Sequence, residues 1–110
     1  MARVERRTRA EWAGELGSGG GKISLGSSGI LEESPVTWAS RTEQPGGKTS
    51  PEELMVAAHS SCYAMALSVT LAEKGNEPER LSLEATCDFD DEALKVASVD
   101  LEVRGAVESC

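Results

Sequence analysis

Hydrophobic positions follow two different patterns along the chain. From Leu54 to Lys74 they cover every side of a 3.6-residue period, whereas from Leu81 onward they alternate with polar positions. The first pattern predicts one long helix over residues 51–74, which would span roughly 36 Å at about 1.5 Å per residue. Because this helix is apolar all round, we expect the rest of the fold to enclose it.

The ends of this helix are marked by residues with well-defined roles. Ser50 and Glu53 have the spacing of a capping box, and Pro51 suits the first helical position, where no backbone N–H is needed. Gly75 offers the left-handed conformation that commonly ends a helix. Cys62 lies near the middle of this segment, so the helix is where we look for function.

Strands are predicted before and after the helix in the sequence. Four of the five form two antiparallel hairpins. The predicted strands cover residues 7–16, 22–25, 36–40, 81–89 and 95–104. The glycine-rich residues 17–21 turn the first hairpin, and a loop over residues 41–49 leads to the helix. The fold class predicted is α+β, an antiparallel β-sheet packed on a long central helix that carries Cys62.

Length and charge limit the classes of function. The 110 residues suffice for one domain, covering 1–110. Nineteen acidic and 11 basic residues give a net charge of -8, which disfavours nucleic acid and anionic membranes as partners. Polar side chains also interrupt the helix too often for a membrane span: His59, Ser60, Ser61, Ser68 and Thr70. A soluble protein is therefore predicted.

The cysteines favour a reducing compartment. Cys62, Cys87 and Cys110 are odd in number and lack CxxC spacing, so neither a disulfide framework nor a zinc ribbon is indicated. A cytoplasmic location suits such thiols. Cys87 lies on the apolar face of its strand and is predicted to belong to the core, whereas Cys110 is terminal.

Cys62 has two interpretations. A cysteine in an apolar helix is usually an inert small hydrophobic residue. A reactive thiol would need nearby positive charge, because apolar surroundings raise the pKa of a thiol. His59, one helical turn earlier, suits a base or donor for Cys62 and equally suits a hydrogen-bonded structural role. These two residues alone are too few for a closed metal site.

Charged residues near the helix start also have both a functional and a structural interpretation. Arg41 is the nearest cation in sequence, on the predicted loop, where a lone arginine is otherwise simply solvated. Glu52 and Glu53 both complement the positive helix N-terminus, and since Glu53 fits the cap, Glu52 is left unassigned. Trp12, Trp38 and Tyr63 are predicted core or pocket-wall residues, because a platform for nucleic acid needs basic neighbours.

Several short runs have a characteristic order. They are Glu11-Trp12-Ala13-Gly14, Ser28-Gly29-Ile30-Leu31, Thr49-Ser50-Pro51-Glu52-Glu53-Leu54 and Ala57-Ala58-His59-Ser60-Ser61-Cys62-Tyr63. Together with an arginine placed before the helix, they extend over the whole chain. This set resembles the OsmC/Ohr family of thiol-dependent peroxidases, in its osmotically inducible (OsmC) branch.

The resemblance implies an activity, partners and a site. In that family the helix cysteine attacks the distal oxygen of a hydroperoxide, an arginine and a glutamate activate it, and the protein is an intertwined homodimer. By motif, Cys62 resembles the peroxidatic thiol, Arg41 the activating arginine and Glu52 its carboxylate partner, with His59 and Glu53 as supporting residues. The expected function is reduction of organic hydroperoxides to alcohols in stress defence, with an external dithiol as reductant.

The C-terminal part departs from the family pattern. That pattern continues into a second helix with a Gly-Cys-Pro resolving cysteine and then a last strand. Cys110 is not followed by proline and lies too early, so it is not equated with the resolving thiol. The chain therefore resembles a family member that is incomplete at its C-terminus. The alternative function is a non-catalytic structural or binding member of the same fold that has lost turnover with the resolving cysteine.

Overall fold

The computed structural model describes residues 3–107 and is α+β, as predicted. Its elements are β1 (Arg9–Ala13), β2 (Gly20–Ser24), β3 (Ser34–Val36), α1 (Trp38–Thr42), α2 (Pro51–Glu73), β4 (Pro78–Asp90) and β5 (Lys95–Val107). The chain divides into two compact units, an N-terminal unit up to residue 51 and a C-terminal unit from residue 52 onward.

The N-terminal unit contains a three-stranded antiparallel sheet in the order β1-β2-β3. The predicted first hairpin is confirmed: β1 is shorter than expected, and β2 begins two residues earlier and ends one residue earlier than expected. Trp12 pairs with Gly21, which also pairs with Val36 on its other side. A Cβ atom at Gly21 would lie 2.6 Å from Cε3 of Trp12, so only glycine lets the indole lie across β2. The indole Nε1 donates to the Gly14 carbonyl at 3.1 Å.

The strand predicted over residues 36–40 is wrong, because the chain turns into α1 after Val36. Thr37 is the N-cap: its Oγ1 accepts from the Ser40 amide at 3.0 Å, while Ser40 Oγ accepts from the Thr37 amide at 2.9 Å. These reciprocal bonds form a capping box, which overrides the strand preference of valine, threonine and tryptophan.

A second contact ties α1 to the segment that precedes α2. Ser40 is buried, and its Oγ lies 3.0 Å from the carbonyl oxygen of Thr49, to which it can donate. Val36 and Thr49 also form a parallel bridge. The loop predicted over residues 41–49 therefore begins two residues later than expected. Arg41 lies in the last turn of α1, which corrects its predicted loop position.

The C-terminal unit contains the predicted second hairpin, β4-β5. Leu83 pairs with Val103 and Cys87 with Val99, so the apolar positions of both strands share one face. Along β4 the residues on this face are half-buried while those between them are exposed. The alternation that predicted the strands is thereby confirmed for β4, whereas in β5 Val96, Val99 and Val103 are 38–40% exposed.

Helix α2 has the predicted start and ends one residue earlier than predicted. Gly75 has a φ of 79°, the left-handed conformation expected of a residue that ends a helix, and its amide donates to the Ala72 carbonyl at 3.0 Å. The expectation that the rest of the chain encloses α2 is wrong. Val56 is the one buried hydrophobic residue within residues 3–106, whereas Met65 is 70% exposed.

The exposed apolar surface of α2 is compatible with more than one environment. By length and composition the helix could cross a membrane, despite the polar interruptions that argued against a span. The core helix of a soluble protein meets the same criterion, so this property alone assigns no location.

Candidate functional site

Four of the predicted site residues lie on α2. Cys62 and His59 are both exposed, one turn apart, so the chain does not by itself bury the thiol as the inert interpretation requires. Glu52 is half-buried and Glu53 exposed in the first turn, where carboxylates complement the helix dipole. Glu52 and Cys62 are ten residues apart, which is about 15 Å of helical rise.

Glu52 also affects Cys87, the other described thiol of the C-terminal unit. Burial raises the pKa of the Cys87 thiol above its ordinary value, and the Glu52 and Asp88 carboxylates raise it further, because each disfavours a second negative charge. The neutral thiol is a poor nucleophile. The raised pKa therefore disfavours the reactive thiolate of Cys87 on the half-buried face of β4.

Arg41 belongs to a cavity inside the N-terminal unit. The cavity has a volume of about 320 Å³ and walls that are mostly apolar. Its lining includes Trp12, Gly21, Ile23, Val36, Trp38 and Arg41. The prediction of core or pocket-wall residues is confirmed for Trp12 and Trp38, since both line this cavity, but Tyr63 is 44% exposed and does not line it. Its volume lies in the range of small-molecule pockets.

A cation–π contact orients the arginine. Cζ of Arg41 lies 5.6 Å from the centroid of the Trp38 ring, within the distance at which a guanidinium is attracted to an indole face. Both side chains are half-buried, which reduces the competition from water. Arg41 thus presents a positive charge at the wall of an apolar chamber.

The predicted residues therefore fall into two groups. Cys62, His59, Glu52 and Glu53 are carried by α2, whereas Arg41 is carried by α1. Within residues 3–107 there is no group of histidine, cysteine and acidic residues that could hold a metal ion. Cys110 lies outside the described residues.

The sequence analysis did not predict the cation–π contact of Trp38 or the capping hydrogen bonds of Ser40. Two spacings in the sequence could have revealed them. Thr37 and Ser40 are separated as in a capping box, and Trp38 and Arg41 are separated by one helical turn. Both signals depend on a helix at residues 38–42, which the strand prediction excluded.

Comparison with known proteins assigns the family. Residues 44–109 match the family model described as OsmC-like protein. The chain is 34% identical over 106 residues to Peroxiredoxin OsmC of Escherichia coli (strain K12), a match that covers 94% of this chain and 73% of that protein. The match to Peroxiredoxin OsmC of Shigella flexneri has the same identity and coverage. The chain belongs to the OsmC-like protein family, as its resemblance predicted.

Cys62 is expected to be alkylated several times faster than Cys87 in the folded protein near neutral pH. Cys62 is exposed, whereas burial and two carboxylates keep Cys87 protonated. Limiting iodoacetamide, added to a Cys110→Ser variant and followed by peptide mapping, measures the two rates. Equal labelling in urea controls for intrinsic differences, and preferential labelling of Cys87 in the folded state would overturn the assignment.

Removing the Glu52 charge is expected to lower the pKa of Cys87. The carboxylate disfavours the thiolate, so in Glu52→Gln the alkylation midpoint should move to lower pH, although burial keeps it above the ordinary value. A Cys62→Ser/Cys110→Ser background leaves Cys87 as the single thiol. Glu53→Gln is the matched control, one residue away in the same turn. An equal shift in both variants would contradict a specific effect of Glu52.

Proposed function

We propose that the protein is a thiol-dependent peroxidase that reduces organic hydroperoxides to alcohols. Cys62 is the peroxidatic thiol, Arg41 activates it, Glu52 is the carboxylate partner of the arginine, and His59 and Glu53 support the site. Membership of the OsmC-like family, and the name peroxiredoxin carried by two relatives, support a peroxidase. The resemblance of the motifs around these residues supports their roles.

The reaction needs no metal or organic cofactor. The Cys62 thiolate attacks the distal oxygen of the hydroperoxide, the O–O bond breaks, and the leaving alkoxide takes a proton to become the alcohol. The sulfur is oxidised to a sulfenic acid. An external dithiol then returns it to the thiol, giving its own disulfide and one water molecule.

The cavity at Arg41 is the observation that favours an organic hydroperoxide as the substrate. A chamber of about 320 Å³ with two indole walls favours the apolar group of an organic peroxide over a small, strongly hydrated one. The guanidinium supplies the positive charge that stabilises a thiolate and the departing oxygen. A cavity without the cation, or a cation on an open surface, would not favour this substrate class.

The proposal also includes a homodimer, in which a second copy of the chain covers α2. Met55, Tyr63, Met65 and Val69 are exposed on α2, and a homodimer would cover them. Dimerisation also supplies the means to bring Arg41, Glu52 and Cys62 together, since about 15 Å of helical rise separates Glu52 from Cys62. Each copy contributes one domain built from both units, and the dimer is soluble and cytoplasmic.

Peroxidase activity is expected to depend on Cys62. The protein should consume cumene hydroperoxide with dihydrolipoate as reductant, and Cys62→Ser should reduce the rate to that of the reductant alone, because no other thiol forms the sulfenate. Cys87→Ser is the matched control and should retain most activity. Consumption of peroxide is followed by a ferrous–xylenol orange assay. Activity that survives in Cys62→Ser, or absent activity in the unmodified protein, would overturn the proposal.

Mixed dimers are expected to recover activity if the site is shared between copies. A dimer of one Cys62→Ser chain and one Arg41→Ala chain contains one site with both Cys62 and Arg41 from different chains. Co-refolding the two inactive variants should therefore restore up to about half of the activity per mixed dimer, because one of two sites is intact. No recovery in dimers of confirmed mixed composition, or a monomer by light scattering, would contradict a shared site.

A further inference from the structure

We propose that Trp38 is a positioning residue for Arg41, holding the guanidinium at the cavity wall in the orientation that the reaction uses. The inference rests on the proposed function for its effect on catalysis, and on the geometry of α1 for the contact itself. The resemblance that suggested Arg41 assigns no role to Trp38.

The contact is built into the shortest helix of the described chain. Trp38 and Arg41 are separated by one turn of α1, so their side chains lie on the same side of the helix. The guanidinium carbon is 5.6 Å from the ring centroid, and both side chains line the same cavity. The ring therefore sets where the positive charge lies relative to a ligand in the chamber.

The backbone beneath the ring is fixed by hydrogen bonds. A helix of five residues is not stable alone, because nucleation costs more than so few bonds return. Thr37 and Ser40 cap its start reciprocally, and Thr42 Oγ1 donates to the Trp38 carbonyl at 2.9 Å. The buried Ser40 hydroxyl also lies 3.0 Å from the Thr49 carbonyl. These contacts hold α1, and with it the indole, in one place.

An aromatic ring is suited to this task for an electrostatic reason. The indole face attracts a cation through its quadrupole and adds no net charge. Trp38 can therefore orient Arg41 without adding a further negative charge to that of the proposed partner Glu52.

The first test is a graded series at position 38, assayed for cumene hydroperoxide reduction. Trp38→Leu keeps an apolar wall and removes the ring, so kcat/KM should fall about two- to fivefold, the loss expected for a cation–π contact at a partly exposed site. Trp38→Tyr and Trp38→Phe keep an aromatic face and should recover part of the loss. Equal activity in the unmodified protein and Trp38→Leu would overturn the proposal, as would loss without aromatic recovery.

The second test reads the contact itself by NMR and does not require turnover. The Nε–H resonance of Arg41, assigned by its absence in Arg41→Lys, should show an upfield ring-current shift that disappears in Trp38→Leu. Trp12→Leu removes the other indole of the cavity and should leave most of this shift in place. An unshifted resonance in the unmodified protein, or one insensitive to Trp38→Leu, would overturn the contact.

The two tests separate the inference from the proposed function. If the unmodified protein does not consume hydroperoxide, the peroxidase proposal fails, and the NMR shift alone decides whether Trp38 positions Arg41. If the protein is active and the shift responds to Trp38 while kcat/KM does not, the contact exists but the positioning role is overturned. If Trp38→Leu does not fold, as judged by circular dichroism, the tyrosine and phenylalanine variants provide the comparison.

Discussion

The apolar surface of α2 faces water along most of its length in the isolated chain. Each large side chain of this kind gains on the order of 1.5–3 kcal/mol when it is fully buried, so Met55, Tyr63, Met65 and Val69 provide a strong drive toward whatever covers the helix. Cys62 is exposed on the same helix. Whatever covers α2 therefore also changes how accessible the Cys62 thiol is to small molecules.

The two described thiols of the C-terminal unit lie in different environments. Cys62 stands on the exposed helix, whereas Cys87 lies on the half-buried face of β4 and keeps its proton through burial and the nearby Glu52 and Asp88 carboxylates. Oxidation that proceeds through the thiolate is thus disfavoured at Cys87. Glu52 takes part in this separation whatever its relation to Arg41.

The sequence predicted the features that depend on hydrophobic periodicity and on residues that begin or end a helix. The alternation in β4 and β5, the start of α2 and the glycine after it are all local signals. Helix α1 was missed because its residues prefer strands, and the hydrogen bonds between Thr37 and Ser40 prevail over that preference. The exposure of α2 could not be predicted, since an all-round apolar helix does not specify which chain covers it. The roles of Cys62, Arg41 and Glu52 came from motif order and stay predictions.

The glycine beneath the Trp12 indole links strand pairing to cavity shape. Because Trp12 lies directly opposite Gly21, a slip of one residue that brought Lys22 opposite Trp12 would place a side chain under the ring, whereas a slip toward Gly20 would not. A slip in either direction would turn the neighbouring side chains of the slipped strand to the other face of the sheet. The pairing register of β1 and β2 therefore sets which side chains line the cavity beside Arg41.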